Sequence, residues 1–256
     1  MDKFTHSNKT YNESFANSYD IITGHKEYVE EVKQLDQILN AFNITKDAKL
    51  LDVGCGTGNH SVLLADYGYD ITAVDLSLDM IAVAQSKNSK ANFQSGDITE
   101  LDLGLFKGAY SLFNVVNCIP SSKILKAFFL AIYNQLEEGA LYVFESWNPI
   151  AVLQAHPEKV SRKYEFNGFE IDRSVTPTWD FMDQHLRLVY DVSVNNADGS
   201  LYDDFKVDMD LRLYTPLELT HLLEEVGFKN IQYKTALPDY EVAEESSRML
   251  LFTCQQ

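Results

Sequence analysis

Cysteine is scarce in this sequence. Cys55, Cys118 and Cys254 are odd in number and far apart in 256 residues, so neither a disulfide framework nor a cysteine-rich metal site is expected. No CxxC, HxH or HExxH spacing occurs, which removes the usual zinc arrangements. Basic charge is also short: 21 Lys and Arg face 38 Asp and Glu, for a net charge of −17. Such a surface repels phosphodiester backbones and anionic lipid, so neither nucleic acid nor membrane is expected as a partner. No apolar run approaches the ~20 residues that a membrane-spanning helix needs. The start, "MDKFTHSNKTYNESF", is polar and does not read as a signal peptide. These absences together predict a cytoplasmic protein of a reducing compartment.

What is present is an ordinary globular composition, 45% hydrophobic and 23% charged, on a chain long enough for one large domain carrying an insertion. Residues 11–42 predict helix in two pieces broken near Gly24, with Val29, Val32, Leu35, Ile38, Leu39 and Phe42 at three- and four-residue steps. From 48 to 146 strand and helix patterns alternate. "AKLLDVG", "YDITAVD", "ANFQSGD", "GAYSLFNVV" and "ALYVFES" read as strands. "SVLLADYG", "SLDMIAVAQSK" and "PSSKILKAFFLAIYNQLEEG" read as helices, the second capped by Ser77, the third running from Pro120 to Gly139. That alternation predicts parallel strands with right-handed crossovers, hence an α/β, doubly wound, Rossmann-like sheet.

After Pro149 the pattern changes. Asn167-Gly168 and Asp198-Gly199 are hairpin signals. Phe205, Val207, Met209, Leu211 and Leu213 alternate with Lys206, Asp208, Asp210 and Arg212, so residues 160–214 predict an inserted antiparallel β-sheet. "TPLELTHLLEEVGF" and strands near 229–236 and 247–254 return the chain to the α/β pattern. The expected organisation is a helical lid over 1–47, a nucleotide-binding core over 48–149, an antiparallel insertion over 150–214 that roofs a pocket or meets a second copy in a homodimer, and the rest of the core over 215–256.

The densest chemical signal is "LLDVGCGTGNHSVLLADYGYDITAVD". A strand enters Gly54-Cys55-Gly56-Thr57-Gly58 and then a helix. Missing Cβ atoms let a backbone approach a ligand there, and the helix start offers free N–H groups. Asp75 ends the next strand, about twenty residues on, where a carboxylate accepts from both ribose hydroxyls; it also suits a helix N-cap. The turn reads GxGxG rather than the dinucleotide GxGxxG, with Asn59 in place of the last glycine, which disfavours an NAD-dependent oxidoreductase.

Asp52-Val53-Gly54-Cys55-Gly56-Thr57-Gly58 resembles motif I of the class I S-adenosylmethionine (SAM) methyltransferases. Asp75, the Gly96-Asp97-Ile98 triplet and "LEEGALYVFE" extend the resemblance over about residues 11–146 and 215–254. "YDIITGHKEY" and "FESWNP" resemble the small-molecule branch that N-methylates amino sugars on nucleotide carriers, where a Tyr-Asp pair opens a helix that closes over cofactor and substrate. The resemblance implies SAM as cofactor, bound by Tyr19, Asp52, Gly54, Cys55, Gly56, Gly58, Asp75, Leu76, Met80, Asp97, Ile98 and Phe113. It implies Tyr19 as the catalytic residue, a small-molecule methyl acceptor on Asn117, Cys118 and Trp147, and no metal. Each residue also has a plainer reading. Tyr19 suits packing on an amphipathic helix, Asp97 a turn, Trp147 a plug at the core edge, Cys55 and Cys118 apolar filling. His60, His156, His185 and His221 read as surface or internally satisfied residues. Some members of that branch carry a His after the fourth strand; here the loop is Phe113-Asn114-Val115-Val116-Asn117-Cys118-Ile119. An amine acceptor needs no base, which favours N-methylation. O-methylation of a sugar or metabolite, and a SAM-binding regulatory module without catalysis, stay open.

Overall fold

The computed structural model describes residues 13–155 and 158–256. Residues 11 and 12 of the predicted first helix, and His156, lie outside the described residues.

Two sheets carry the architecture. Helices α1 (Glu13–Ile22) and α2 (Tyr28–Ala41) precede β1 (Lys49–Val53), α3 (Asn59–Asp66), β2 (Asp70–Asp75), α4 (Leu78–Ser86), β3 (Asn92–Ser95), β4 (Phe106–Ser111), α5 (Ser122–Tyr133) and β5 (Leu136–Trp147). Then come α6 (Pro149–Ala155), β6 (Val160–Phe166), β7 (Phe169–Asp180), β8 (His185–Asn196), β9 (Leu201–Arg212), α7 (Pro216–Val226), β10 (Lys229–Thr235) and β11 (Met249–Gln255). The first sheet runs β10-β11-β5-β4-β1-β2-β3, with β1 to β5 parallel and β11 antiparallel to both its neighbours. Strand order reverses between β1 and β4, and an open α/β sheet binds its ligands at the carboxyl ends beside such a reversal. Leu50 and Leu51 point to opposite faces of β1 and both are fully buried, because helices cover the sheet on both sides. Each such side chain contributes roughly 1.5–3 kcal/mol.

The second sheet, β6-β7-β8-β9, is antiparallel throughout, with Asn167-Gly168 in the first hairpin turn at positive φ. Its inner face packs on the body of the same chain. Ile171, Val192, Val194 and Val207 meet Phe15, Ala16, Ile22 and Met80, while Leu186, Leu188, Leu211 and Leu213 meet Val152. A homodimer through this sheet therefore has only the outer face and edges to use.

Four sequence expectations shift. The helix predicted from Pro120 to Gly139 begins at Ser122, capped by Ser121, and ends at Tyr133. Leu136 pairs with Phe106 instead, and Gly139 N–H reaches Gln256 O at 3.2 Å, so sheet hydrogen bonds claim residues whose helical propensity is good. The strand predicted through Val116 stops at Ser111, because Phe113 and Asn114 turn left-handed at φ +61° and +67°. Helix α6 was not anticipated, although Asn148-Pro149 is a helix start: Asn148 Oδ1 accepts from Ile150 N at 3.1 Å. Finally, Tyr19-Asp20 does not open a helix; it sits toward the C-terminal end of α1.

Candidate active site

A cavity of about 300 Å³ opens at the carboxyl ends of β1, β2 and β4. The glycine turn forms one wall. Gly54, Gly56 and Gly58 all take positive φ, but for different neighbours. A Cβ on Gly54 would lie 2.5 Å from Val115, and one on Gly58 2.6 Å from Phe93, whereas one on Gly56 meets nothing within 4 Å. The outer two glycines thus admit packing side chains, and Gly56 exposes its backbone to open space.

Asp75 stands across from it. Its two carboxylate oxygens accept from Gly56 N at 2.8 Å and Ser77 N at 2.9 Å. Burial raises the Asp75 carboxyl above its ordinary range, and those backbone bonds oppose the rise. Each oxygen keeps a lone pair for a further donor. Ser77, not Asp75, caps α4, accepting from Met80 N. Asp52, below the turn, accepts a 2.5 Å bond from Ser61, and burial pushes its carboxyl up to about 7. Asp97 accepts from both N–H and hydroxyl of Thr99, so the turn reading holds, and the residue also lines the cavity.

Tyr19 closes the cavity from above. Its ring lies edge-on to Phe15 at 5.4 Å and to Phe113 at 6.4 Å. Burial, reinforced by Tyr28 and Asp75, raises its hydroxyl far above the ordinary tyrosine value, so it stays protonated and can donate but not take a proton. Asp20 pins this part of α1 to the glycine turn: it accepts from Thr57 at 2.6 Å and Asn59 at 2.9 Å, and pairs with Lys87 at 2.6 Å.

The anticipated residues Tyr19, Asp52, Gly54, Cys55, Gly56, Asp75, Leu76, Met80, Asp97, Ile98, Phe113 and Cys118 all line this one cavity. Gly58 does not; it is a packing position against Phe93. Asn117 is a correction. It is fully buried, its amide donates to Ser146 and to Arg212 O, and its Oδ1 accepts from Trp147 N. These bonds join the loop after β4 to β5 and β9, and the buried side chain does not line the cavity. Trp147 also lies outside the cavity lining, yet its buried indole N–H has no acceptor among the described residues.

His60, expected to be a surface or internally satisfied residue, is satisfied by Glu31 but stands at the cavity. Its Nε2 lies 2.8 Å from Glu31 and its ring 5.0 Å from that of Tyr28. Burial raises Glu31, but bonds from His60 and Lys26 outweigh it, and its carboxyl settles below the ordinary value. Lys26 sits 3.1 Å from Glu31 and 4.0 Å above the Phe113 ring. The sequence hint was the position of His60, one residue into the helix that the glycine turn begins. Among the described residues no cluster of His, Cys, Asp and Glu could hold a metal, and no helix is long and apolar enough to cross a membrane.

Residues 50–139 match a family model described as a methyltransferase domain. The chain is 24% identical over 255 residues to the putative methyltransferase YqeM of Bacillus subtilis (strain 168), covering 95% of this chain and 96% of that one. It is 28% identical over 140 residues to the dTDP-3-amino-3,4,6-trideoxy-alpha-D-glucopyranose N,N-dimethyltransferase of Streptomyces venezuelae, covering 54% and 59%. The structure of SAM-bound CalS10, an amino pentose methyltransferase of Micromonospora echinaspora involved in calicheamicin biosynthesis, superposes with a TM-score of 0.75 at 21% identity over 93% and 95%. Open backbone at Gly56, a carboxylate with lone pairs to spare at Asp75, and a methyltransferase-domain match over the same strands agree on one cofactor: residues 50–139 carry a methyltransferase domain of the SAM-dependent kind.

Proposed function

We propose that the enzyme methylates a small polar molecule, an amine on a sugar or a comparable metabolite. The observation that carries this reading is the state of the ionisable groups around Tyr19. Its own hydroxyl is held protonated by burial, Cys55 is pushed up in the same way, and Asp75 already accepts two backbone bonds. His60 lines the same cavity with Nε2 bonded to Glu31, an arrangement that orients an imidazole, and it is the group a hydroxyl acceptor would call on as base. A hydroxyl acceptor needs its proton removed as it attacks, whereas an amine that arrives neutral does not. The relatives support the same class: the Streptomyces protein is an amino-sugar dimethyltransferase and CalS10 acts on an amino pentose.

In this reading SAM, when bound, supplies an electrophilic methyl group on a cationic sulfur. Asp75 would hold its ribose through the remaining carboxylate lone pairs, Asp97 and Ile98 would bound the adenine end, and the open Gly56 backbone would admit the cofactor closely. Tyr19 donates its hydroxyl to orient the reacting groups, and the N-terminal helices and the four-stranded sheet exclude water from them. Positioning and desolvation are the sources of rate. The acceptor's proton leaves to solvent after transfer.

A substrate panel tests this. Nucleotide-linked amino sugars, matched hydroxyl sugars and free amines are offered with SAM, and methyl transfer is followed by mass spectrometry. N-methylated products are expected, with rates that rise as pH approaches the acceptor's own amine pKa. Turnover confined to hydroxyl sugars overturns the assignment, and SAM binding with no turnover on any acceptor points instead to a regulatory module.

A further inference from the structure

Between the four-stranded sheet and the turn after α1 lies a cationic seam that the cofactor site does not use. Arg162 of β6 stands directly opposite Arg173 of β7 in an unbroken register. Both share a face with Tyr164 and Ile171, the pair next to them, and Ile171 is buried against α1. The two guanidinium groups therefore lie on the sheet's inner face. Arg173 runs between the rings of Tyr164 and Tyr190, at 5.9 and 6.0 Å, and its Nε is buried with no acceptor. No ion pair among the described residues reaches either arginine. The outer face of the same strands is different: Lys163 meets Asp172 at 2.6 Å. Glu165 also faces Glu170 there, but both are exposed, where water and salt screen the repulsion. Arg173 Nε has no such relief.

Like charges directly across a ladder destabilise it, and an unsatisfied buried guanidinium donor adds a desolvation penalty. In a chain with 38 acidic residues and a net charge of −17, carboxylates to neutralise the pair are plentiful, yet among the described residues none pairs with either arginine. The N-terminal turn brings another basic group. His25 lies 5.8 Å from the Tyr164 ring, and burial followed by the charge of Arg173 lowers its pKa. The turn is fixed to the sheet by Tyr164, whose hydroxyl donates to Ile22 O at 2.8 Å, and by Gly24, where any Cβ would strike Phe166 at 2.4 Å. Tyr190, which Arg173 flanks, packs against the same apolar cluster as Cys118, and Cys118 lines the methyl-donor cavity, so the seam lies beside that cavity without lining it.

We propose that Arg162 and Arg173, with His25 beside them, form an anion subsite of the acceptor pocket, holding a phosphate- or carboxylate-bearing part of the acceptor while its nucleophile reaches past Tyr190 and Cys118. Guanidinium groups bind both anions through paired N–H donors. This rests on the reading of the enzyme as acting on a small polar acceptor, and adds that the acceptor is anionic.

Calorimetry on the full chain saturated with S-adenosylhomocysteine, at low salt, tests the subsite without turnover. Inorganic pyrophosphate, a nucleoside diphosphate, malonate and a neutral sugar are titrated in turn. Saturable anion binding is expected, weakened at least tenfold in Arg173→Gln and in the exposed Arg162→Gln, with affinity for S-adenosylhomocysteine unchanged in both. Tightest binding of the nucleoside diphosphate assigns a nucleotide carrier, and malonate matching pyrophosphate assigns a carboxylate. No saturable anion binding, or equal binding by wild type and both variants, overturns the subsite. Anion binding without methyl transfer to any amine keeps the subsite and removes the amine reading. Amine turnover without anion binding does the reverse.

Discussion

In the seven-stranded sheet, Leu50 and Leu51 are buried on opposite faces, and the polar residues of β1 stand toward its two ends, Lys49 exposed and Asp52 buried near the carboxyl end. In the four-stranded sheet one face is covered and the other stands in water, and even the covered face admits Arg173 beside Ile171. The difference follows from how each sheet is closed. Helices on both sides leave a parallel sheet free to vary only at its strand ends, which is where Gly54, Asp75 and Phe113 converge. A roof packed through one face can change residues over a cleft without losing its own core. On the proposed reading, cofactor chemistry belongs to the body, and acceptor choice to the four-stranded sheet as a roof and to the N-terminal turn.

The largest expected effect lies in the body. Burial carries the Asp52 carboxyl up to about 7 from an ordinary 3.8, against the opposing bond from Ser61. Between those values the folded protein holds a proton that the unfolded chain has released. Stability therefore falls as pH rises through this window, by up to about 4 kcal/mol from Asp52 alone. Asp75 and Glu145, also raised by burial, act in the same direction. Thermal unfolding of the protein without cofactor, followed from pH 5 to 8, should show a declining Tm that Asp52→Asn flattens. A slope identical in that variant would place the pH dependence elsewhere. Asp208, on the outer face of the roof, is lowered by its bond from Arg187, so its contribution is lost only as pH falls through the acid range, the opposite sense.

The body was also the more legible half. Gly54, Gly56, Gly58 and Asp75 are local signals, each needing only a backbone conformation or a strand end. The hairpin at Asn167-Gly168 and the alternation through β9 were equally plain. The loop after β4 was not. The role of Asn117 depends on Ser146, Trp147 and Arg212, which are brought together only by the sheet and the insertion. The end of α5 was misplaced because Leu136–Gly139 suit a helix until Phe106 and Gln256 offer them hydrogen bonds. His60 looked ordinary until α2 set Glu31 against it. The Arg162–Arg173 pair needs the register of two strands, which no single segment states.

A middle-sized effect separates the halves by ligand. Asp75→Ala should weaken S-adenosylhomocysteine binding by about 2 kcal/mol, roughly thirtyfold, through lost charge-assisted bonds to the ribose. Asp208→Asn, in the roof, should leave that affinity unchanged. Calorimetry on both variants decides. Equal loss in the two would mean that the roof shapes the cofactor site, and the division drawn above would fail.

The smallest effect concerns the join between the halves. Tyr19 is carried by α1, whose Asp20 is fixed to Thr57, Asn59 and Lys87 of the body and whose Phe15 meets Phe205 of the roof edge-on at 5.8 Å. Its ring packs on Phe113, so a phenylalanine keeps the packing and removes only the hydroxyl. If Tyr19 serves as a donor, Tyr19→Phe lowers kcat about tenfold, near 1.4 kcal/mol, with the KM for SAM nearly unchanged, because the lost bond acts on the reacting groups rather than on the adenosine. Since the hydroxyl is protonated throughout the working range, the pH–rate profile should keep its shape in the variant. A changed profile would make Tyr19 a proton carrier. An unchanged kcat would return it to packing, and the join would then be mechanical: α1 would hold body and roof together, and Tyr19 would have no part in the chemistry.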